Sequence, residues 1–298
     1  MKPARTRPDP PRGGTLYLVA TPIGNLGDIS GRALDVLRAV PLVAAEDTRI
    51  TRRLFDRYDI ATRSISYHAR SGSGRLDQLL EHLRAGADLA LVTDAGTPGV
   101  SDPGEELVRA WAAEGGEVIA VPGPSAVLAA VAASGLAGPR WSFEGFLPRS
   151  GRARRERLAR IAADLRGSVL FEAPGRIVAT LADLEAACGG DRPAAVSREL
   201  TKLHETTVRG PLRELATAAA DGTIPARGEF VIVVGSIEAS PAATEDASAA
   251  SASTVEAARV EVDRLVAAGV ARGEAARRIS ASTGVPRRQI YGTAVRGR

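Results

Sequence analysis

Residues able to do chemistry gather in four short segments, each at the end of an apolar run. Thr21-Pro22-Ile23-Gly24-Asn25-Leu26-Gly27-Asp28 follows the first run, and Ala45-Glu46-Asp47-Thr48-Arg49 follows the second. The fourth run leads into Thr93-Asp94-Ala95-Gly96-Thr97-Pro98-Gly99-Val100-Ser101-Asp102-Pro103-Gly104, and the fifth into Val121-Pro122-Gly123-Pro124-Ser125-Ala126. Glycine and proline let such backbone approach a ligand closely and fix the loop shape. One such loop reads equally well as a turn, but four on one sheet edge are more than punctuation. The glycine fingerprints of dinucleotide and P-loop folds are absent: Ser71-Gly72-Ser73-Gly74 lacks the third glycine and reads as a loop. His68, His82 and His204 have no metal-ligand spacing, so no protein-bound metal is expected. Cys188 is the only cysteine, which excludes an internal disulfide and fits a reducing, cytoplasmic setting.

A second candidate group is Arg198-Glu199-Leu200-Thr201-Lys202. Lys2 and Lys202 are the only lysines, so 37 of the 39 basic residues are arginine, as GC-rich coding favours. Where this chain needs only positive charge it uses arginine. Lys202 therefore marks a place that needs an ammonium, or else a structural ion pair with Glu199 or Glu205. The arginines cluster. Arg49, Arg52 and Arg53 share one side of a helix at its spacing. Arg149, Arg152, Arg154, Arg155, Arg157 and Arg160 form a second group, and residues 255–298 carry nine arginines against four acids. A solvated face is the plain reading of any one cluster, and two clusters favour a polyanionic partner.

These groups need elements to position them. The spacing predicts strands at Leu16–Ala20, Leu42–Ala45, Ser64–Tyr67, Leu89–Thr93 and Val118–Val121. Helices are predicted between them, at Ile29–Ala39, Thr48–Tyr58, Gly74–Ala85 and Pro103–Glu114. Strand–helix alternation argues a parallel sheet, and continuous apolar runs argue that both faces are covered. In such sheets ligands bind at the carboxyl ends of strands, where the four loops fall. Beyond Trp141–Arg149, helices are predicted at Arg152–Leu165, Arg176–Ala187 and Pro211–Ala220. Strands at Ser168–Glu172, Ala194–Arg198, Glu205–Arg209 and Glu229–Gly235 suggest a mixed sheet. The fold class is α/β in two domains, residues 14–123 with a parallel sheet and 124–238 with a mixed sheet. A disordered tail, 1–13, precedes them. An Ala/Ser linker, 239–254, leads to a basic helical tail, 255–298, whose helices at Val255–Ala268, Arg272–Ser282 and Pro286–Val295 resemble a helix-turn-helix. The apolar stretch Ala126–Ala133 is too short to span a bilayer, and the N-terminus is a poor secretory signal, so no membrane partner is expected.

Seven segments in one order, LYLVATPIGNLGD, AAEDTRITRRL, LALVTDAGTPGVSDPG, VPGPSAVLAA, FEGFLPR, RELTKLHETTVRG and RGEFVIVV, resemble the tetrapyrrole-methylase superfamily from about Thr15 to Gly235. PIGN, AEDTR, EGFLP and RELTK favour its ribosomal branch, which methylates a cytidine ribose 2′-oxygen in the decoding region of small-subunit ribosomal RNA. The resemblance implies S-adenosylmethionine held in a cleft between the two domains. It implies cofactor contacts from Pro22, Gly24, Asp94, Ala95, Gly96, Thr97, Pro98, Ser101, Asp102, Gly123, Ser125 and Ala126. A homodimer and a substrate of small-subunit rRNA or the assembled small ribosomal subunit are also implied. Arg49, Arg52, Arg53, Arg152, Arg154 and Arg155 are the expected RNA contacts. The chain departs from the branch at Phe171-Glu172-Ala173-Pro174-Gly175-Arg176, where a tyrosine and a following histidine are missing.

A ribose hydroxyl is a weak nucleophile near neutral pH, so a base or a nearby cation should help. Lys202 is the first choice, with Glu199, Asp47, Glu46 and Asp94 as further candidates. Two rivals stand beside this reading. A small-molecule methyltransferase of the same fold needs no basic surface, and a nucleic-acid-binding regulator would work through its tail alone.

Overall fold

The computed structural model describes residues 13–237, 255–283, 285 and 287–291. Strands β1 (Leu16–Val19), β2 (Leu42–Ala45), β3 (Ser64–Ser66), β4 (Leu89–Val92) and β5 (Val118–Val121) form a parallel sheet in the order β3-β2-β4-β1-β5. Helices α1 (Gly31–Ala39), α2 (Thr48–Arg57), α3 (Ser73–Arg84) and α4 (Glu105–Ala113) cover it. The two-residue period of a strand divides the core. Ala90 and Val92 join Leu37 and Phe55 on one face, while Leu89 and Leu91 join Leu83 and Trp111 on the other. Ser30 starts α1 by accepting from Ala33 N at 3.1 Å.

The second sheet runs β6 (Trp141–Phe146), β7 (Gly167–Glu172), β10 (Phe230–Val234), β8 (Pro193–Arg198), β9 (Thr206–Pro211). Only β6 and β7 pair in parallel, so the sheet is mixed. One face packs on α6 (Gly151–Ala163), α7 (Ile177–Cys188) and α8 (Leu212–Ala220), through Leu170, Val196 and Ile232. The opposite face, Val169, Ala195 and Val233, is covered by Val127 and Ala130 of α5 (Ala126–Ser134). The helix that follows the last strand of the first sheet thus belongs, by packing, to the second. Both sheets lie in one compact unit ending at Ser236.

The elements follow the predicted order, with ends shifted by a few residues. Trp141–Phe146 is an added strand, with a break in register between Phe143 and Gly145. A 3-10 turn at Leu26–Asp28 was not foreseen either. A separate unit begins at Ile237. It contains α9 (residues 255–267), α10 (Arg272–Thr283) and α11 (Arg287–Ile290), closed on a small core of Ala258, Val262, Ala275, Ala276 and Ile290. The expected tail 1–13 up to residue 12, the linker up to residue 254 and the end of the third tail helix lie outside the described residues. No helix among the described residues is long and apolar enough to cross a membrane.

Trp111 carries the α3/α4 side of the first sheet and is 1% exposed. Trp111→Ala is expected to lower stability by about 3–5 kcal/mol. The check is the midpoint of urea unfolding; a shift worth under about 1 kcal/mol would show that the neighbouring side chains collapse into the space.

Candidate active site

The carboxyl edge of the first sheet faces the second sheet across a cavity of about 300 Å³. That is at the small end of the range for ligand sites. Ala95, Gly96, Thr97, Ser101 and Asp102 line it from the loop after β4, and Ser125 and Ala126 from the start of α5. The opposite wall is mostly apolar, with Phe146, Phe171, Phe230, Val231 and Leu200, and carries Glu172 and Glu229 beside them. Phe171 is braced by Phe143 edge-on at 5.0 Å and by Phe146 at 5.6 Å between ring centres.

The loop after β4 is pinned from two sides. Thr21 N donates to Gly96 O at 2.8 Å, and Gly96 N returns a bond to Thr21 O at 3.1 Å. Thr21 Oγ1 donates to Thr93 O at 3.0 Å. From the second sheet, Gly145 has φ +60, and a Cβ there would stand 3.3 Å from Ser101 Oγ. The register break in β6 thus brings its backbone up to the loop, as a bulge re-aims a strand. Ser125 Oγ accepts from Leu128 N at 3.4 Å and so caps α5 at the cavity wall.

Carboxyl groups collect behind the loop. Asp47 N donates to Asp94 Oδ1 at 3.0 Å, and Asp94 N donates to Glu46 Oε2 at 3.2 Å, tying the ends of β2 and β4 together. Burial pushes the pKa of both Glu46 and Asp94 up. Burial, with the nearby charges of Glu46 and Asp94, pushes Asp102 up to about 7. Asp47 differs. It caps α2 and binds the Arg49 guanidinium, which holds its carboxyl down at about 2. A group so acidic is a poor general base near neutral pH.

The Arg198–Glu205 segment closes one side of the cleft. Glu199 and Thr201 are left-handed, with φ of 53 and 66, a conformation that costs about 1–3 kcal/mol per residue unless its surroundings impose it. Here they do. Glu199 N donates to Glu229 O, and Glu229 N donates to Glu199 Oε1, both at 3.0 Å. Thr201 N donates to Glu205 Oε2 at 2.7 Å. Thr201 Oγ1 in turn accepts from Asn25 N at 3.1 Å, which links the segment to the loop after β1. Lys202 Nζ lies 2.9 Å from both Glu199 Oε1 and Glu229 Oε2. Burial works against its ammonium, but the two carboxylates outweigh burial and raise its pKa. Lys202 is therefore a cation at neutral pH and not a base. Of the two acids expected to pair with it, Glu199 does so, while Glu205 holds backbone instead.

The predicted site residues separate by place. Ala95, Gly96, Thr97, Ser101, Asp102, Ser125 and Ala126 meet at the cavity. Pro22 and Pro98 are buried behind it, and Gly123 rests on Ala20. Gly24 faces the Lys202 stem, where a Cβ would come within 2.5 Å of Lys202 Cγ. Arg49 and Arg52 are exposed but bind Asp47 and Asp56. Arg154 corrects the expectation of an RNA contact. It is 8% exposed and donates to Asp183 at 2.7 Å, Thr180 at 2.9 Å and Pro148 O at 3.0 Å, so its charge is used inside the fold. The apolar wall was missed, since each of its residues reads singly as core. In the divergent segment, Glu172 is buried and binds Thr180 and Arg176. Among the described residues no cluster of histidine, cysteine and acidic side chains could hold a metal ion.

The sign of the Asp102 effect follows from linkage. Its unfolded pKa is about 3.9. Between that and about 7 the folded chain keeps a proton the unfolded chain has lost, so stability falls as pH rises through this window and levels above it. Asp102→Asn is expected to be the more stable protein at pH 8, by about 1–2 kcal/mol after discounting for its half-exposed setting, and equal to the parent near pH 4. Urea unfolding at the two pH values checks this. An equal difference at both would mean that the charge of Asp102 is not the cause.

The family model "Tetrapyrrole (Corrin/Porphyrin) Methylases" matches residues 15–216. The chain is 46% identical to ribosomal RNA small subunit methyltransferase I of Synechocystis sp., covering 93% of this chain and 96% of the relative. It is 42% identical to the protein of that name from Mycobacterium bovis, covering 96% of each. Solved structures share the fold at lower identity. A cobalt precorrin-4 methyltransferase of cobalamin biosynthesis matches with a TM-score of 0.55 at 20% identity, covering 74% of this chain and 94% of that one. A uroporphyrin-III C-methyltransferase from Thermus thermophilus, complexed with S-adenosyl homocysteine, matches with a TM-score of 0.53 at 22% identity, covering 75% of this chain and 98% of that one. With the cleft, its pinned loops and a match over more than two thirds of its length, the chain belongs to the tetrapyrrole (corrin/porphyrin) methylase family.

Proposed function

We propose that this protein is an S-adenosylmethionine-dependent methyltransferase that methylates a ribose 2′-oxygen, of a decoding-region cytidine, in small-subunit ribosomal RNA. The observation that carries the reading is the cleft cavity, in a chain 46% and 42% identical over most of its length to two relatives of that name. The lining suits the cofactor. The half-buried carboxyl group of Asp102 on one side suits its cationic methionine part, and the phenylalanines of the other wall suit a flat base. The cofactor supplies an activated methyl group on a sulfonium, so the protein's task is to position two reactants.

The residues divide that task. Ala95 to Asp102 and Ser125 hold the cofactor, with Pro22, Pro98 and Gly123 keeping their loops in shape. Asp102 carries its proton to near neutral pH in the free protein, and a cation beside it favours the carboxylate. Lys202 stands at the rim, where its ammonium holds Glu229 on the cavity wall and Glu199 in the strained turn. That arrangement makes Lys202 first a positioning residue, with its charge near the acceptor oxygen as a further contribution. Arg53, and Arg152 and Arg155 on α6, are exposed and suit RNA phosphates. The tail is basic by itself, with nine arginines against four acids in residues 255–298. The protein acts in the cytoplasm as a homodimer in this reading. Exposed Leu128 on α5 and Val208 on the edge strand β9 offer apolar surface to a second copy.

Lys202→Arg is expected to lower methyl transfer by at least about tenfold, or 1.4 kcal/mol, while leaving S-adenosylmethionine affinity within about twofold. Binding calorimetry beside single-turnover rates separates the two; equal losses would remove Lys202 from the transfer step. The reading itself is tested with tritiated S-adenosylmethionine and either small ribosomal subunits or free small-subunit rRNA from cells lacking the modification. Alkali-resistant label at one ribose is the expected result, and the better substrate shows whether assembly is read. Cofactor binding with no label in either RNA would turn the assignment to a small-molecule acceptor.

A further inference from the structure

A second cavity, of about 400 Å³, opens beside the first. Its charged lining is Arg149, Arg154, Arg155 and Arg176 against one acid, Asp183. Two of these arginines build the notch. Arg154 Nη1 donates to Pro148 O at 3.0 Å, and Arg176 Nη2 donates to Leu147 O at 2.7 Å, so both grip the backbone just before Arg149. Arg154 is paired with Asp183, and Arg176 with Glu172. Arg149 and Arg155 are exposed and, among the described residues, have no carboxylate partner. The notch therefore carries two uncompensated positive charges on a rigid frame. The first turn of α6, which forms its rim, contains no acid and has no side-chain cap. The arginines of that turn already have carboxylate partners, Arg152 with Glu156 at 2.5 Å and Arg154 with Asp183 at 2.7 Å, so the open charge is that of Arg149 and Arg155.

The notch also has a fixed relation to the first cavity. Glu172, Ala173 and Pro174 line the first, and Gly175 and Arg176 line the second, so one short turn is their common wall. The Glu172–Arg176 ion pair, at 3.3 Å, runs through that wall.

We propose that this notch is a phosphate socket for the RNA strand whose ribose meets the cofactor at the mouth of the neighbouring cavity, an inference that rests on the rRNA reading above. Arg149 and Arg155 contact the phosphate. Arg154 and Arg176 hold the frame and are positioning residues. The socket fixes the register of the strand, as phosphate contacts do, and leaves sequence to other contacts.

The test is RNA binding by the full chain, measured by fluorescence anisotropy with a small-subunit rRNA fragment over a range of salt. Wild type is compared with Arg149→Gln/Arg155→Gln and with Arg109→Gln/Arg160→Gln, which removes the same charge outside the notch. The notch variant is expected to bind about tenfold more weakly at low salt, with its salt slope reduced by about 1 to 1.5. Its S-adenosylmethionine affinity should be unchanged, and the control variant should stay near wild type. Equal losses in the two variants, or no loss in the notch variant, would overturn the socket while wild type still methylates rRNA. Wild type that neither binds nor methylates rRNA overturns the underlying reading, and the socket with it.

Discussion

Glu46, Asp94 and Asp102 are drawn together at the carboxyl edge of the first sheet, where burial raises the pKa of each. Like charges in a half-dry setting repel, and a fold that gathers them must hold them by other means. It does so through backbone. The amides of Asp47 and Asp94 donate to the carboxylates of Asp94 and Glu46, and Thr21 and Gly96 exchange two bonds. The β4 loop is therefore held in shape by bonds within the chain, which oppose the repulsion among its carboxyl groups. Gathering these carboxyl groups at the cavity works against the stability of the free protein, as strained or charged functional sites commonly do.

The two walls of the cleft have different origins. The polar wall is made from contiguous loops at strand ends, each carrying its own glycine, proline and acidic residues. The apolar wall is assembled from Phe146, Phe171, Leu200 and Phe230, which come from β6, β7, the β8–β9 turn and β10. This division explains what could be read in advance. Ala95 to Asp102 and Ser125 stood out because a loop's chemistry is local in sequence. Phe171 and Phe230 did not, since a phenylalanine in a strand predicts a core whether or not that core has a hollow. The β6 strand escaped notice for a related reason: Trp141-Ser142-Phe143-Glu144-Gly145-Phe146 breaks its alternation at the bulge, where Gly145 meets Ser101.

Charge was legible as composition and not as placement. The run from Arg149 to Arg160 reads as one basic face, but Arg154 turns inward to Asp183 and Thr180, 29 and 26 positions along the chain. A sequence window cannot see a partner at that distance, and a charged residue on a helix defaults to solvent. The same long-range pairing makes the neighbouring arginines informative. Once Arg154 and Arg176 are accounted for by the frame, the charge left over in the notch belongs to Arg149 and Arg155, which are exposed and have no carboxylate partner among the described residues.

Lysine at position 202, in a chain that otherwise uses arginine, has a geometric reason in the fold. Its stem passes Gly24 so closely that even a methyl group on that glycine would overlap it. Its Nζ then reaches two carboxylates, each at 2.9 Å, from different segments. A compact ammonium with rotating donors can satisfy both from one point. A planar guanidinium is wider, binds in a fork and would press on the loop after β1. That loop is fastened to the strained turn by Asn25 and Thr201, so the pressure would pass into the β1 loop and the cavity beyond it. The rarity of the residue marked the position, and the tight passage beside Gly24 supplies the physical cause.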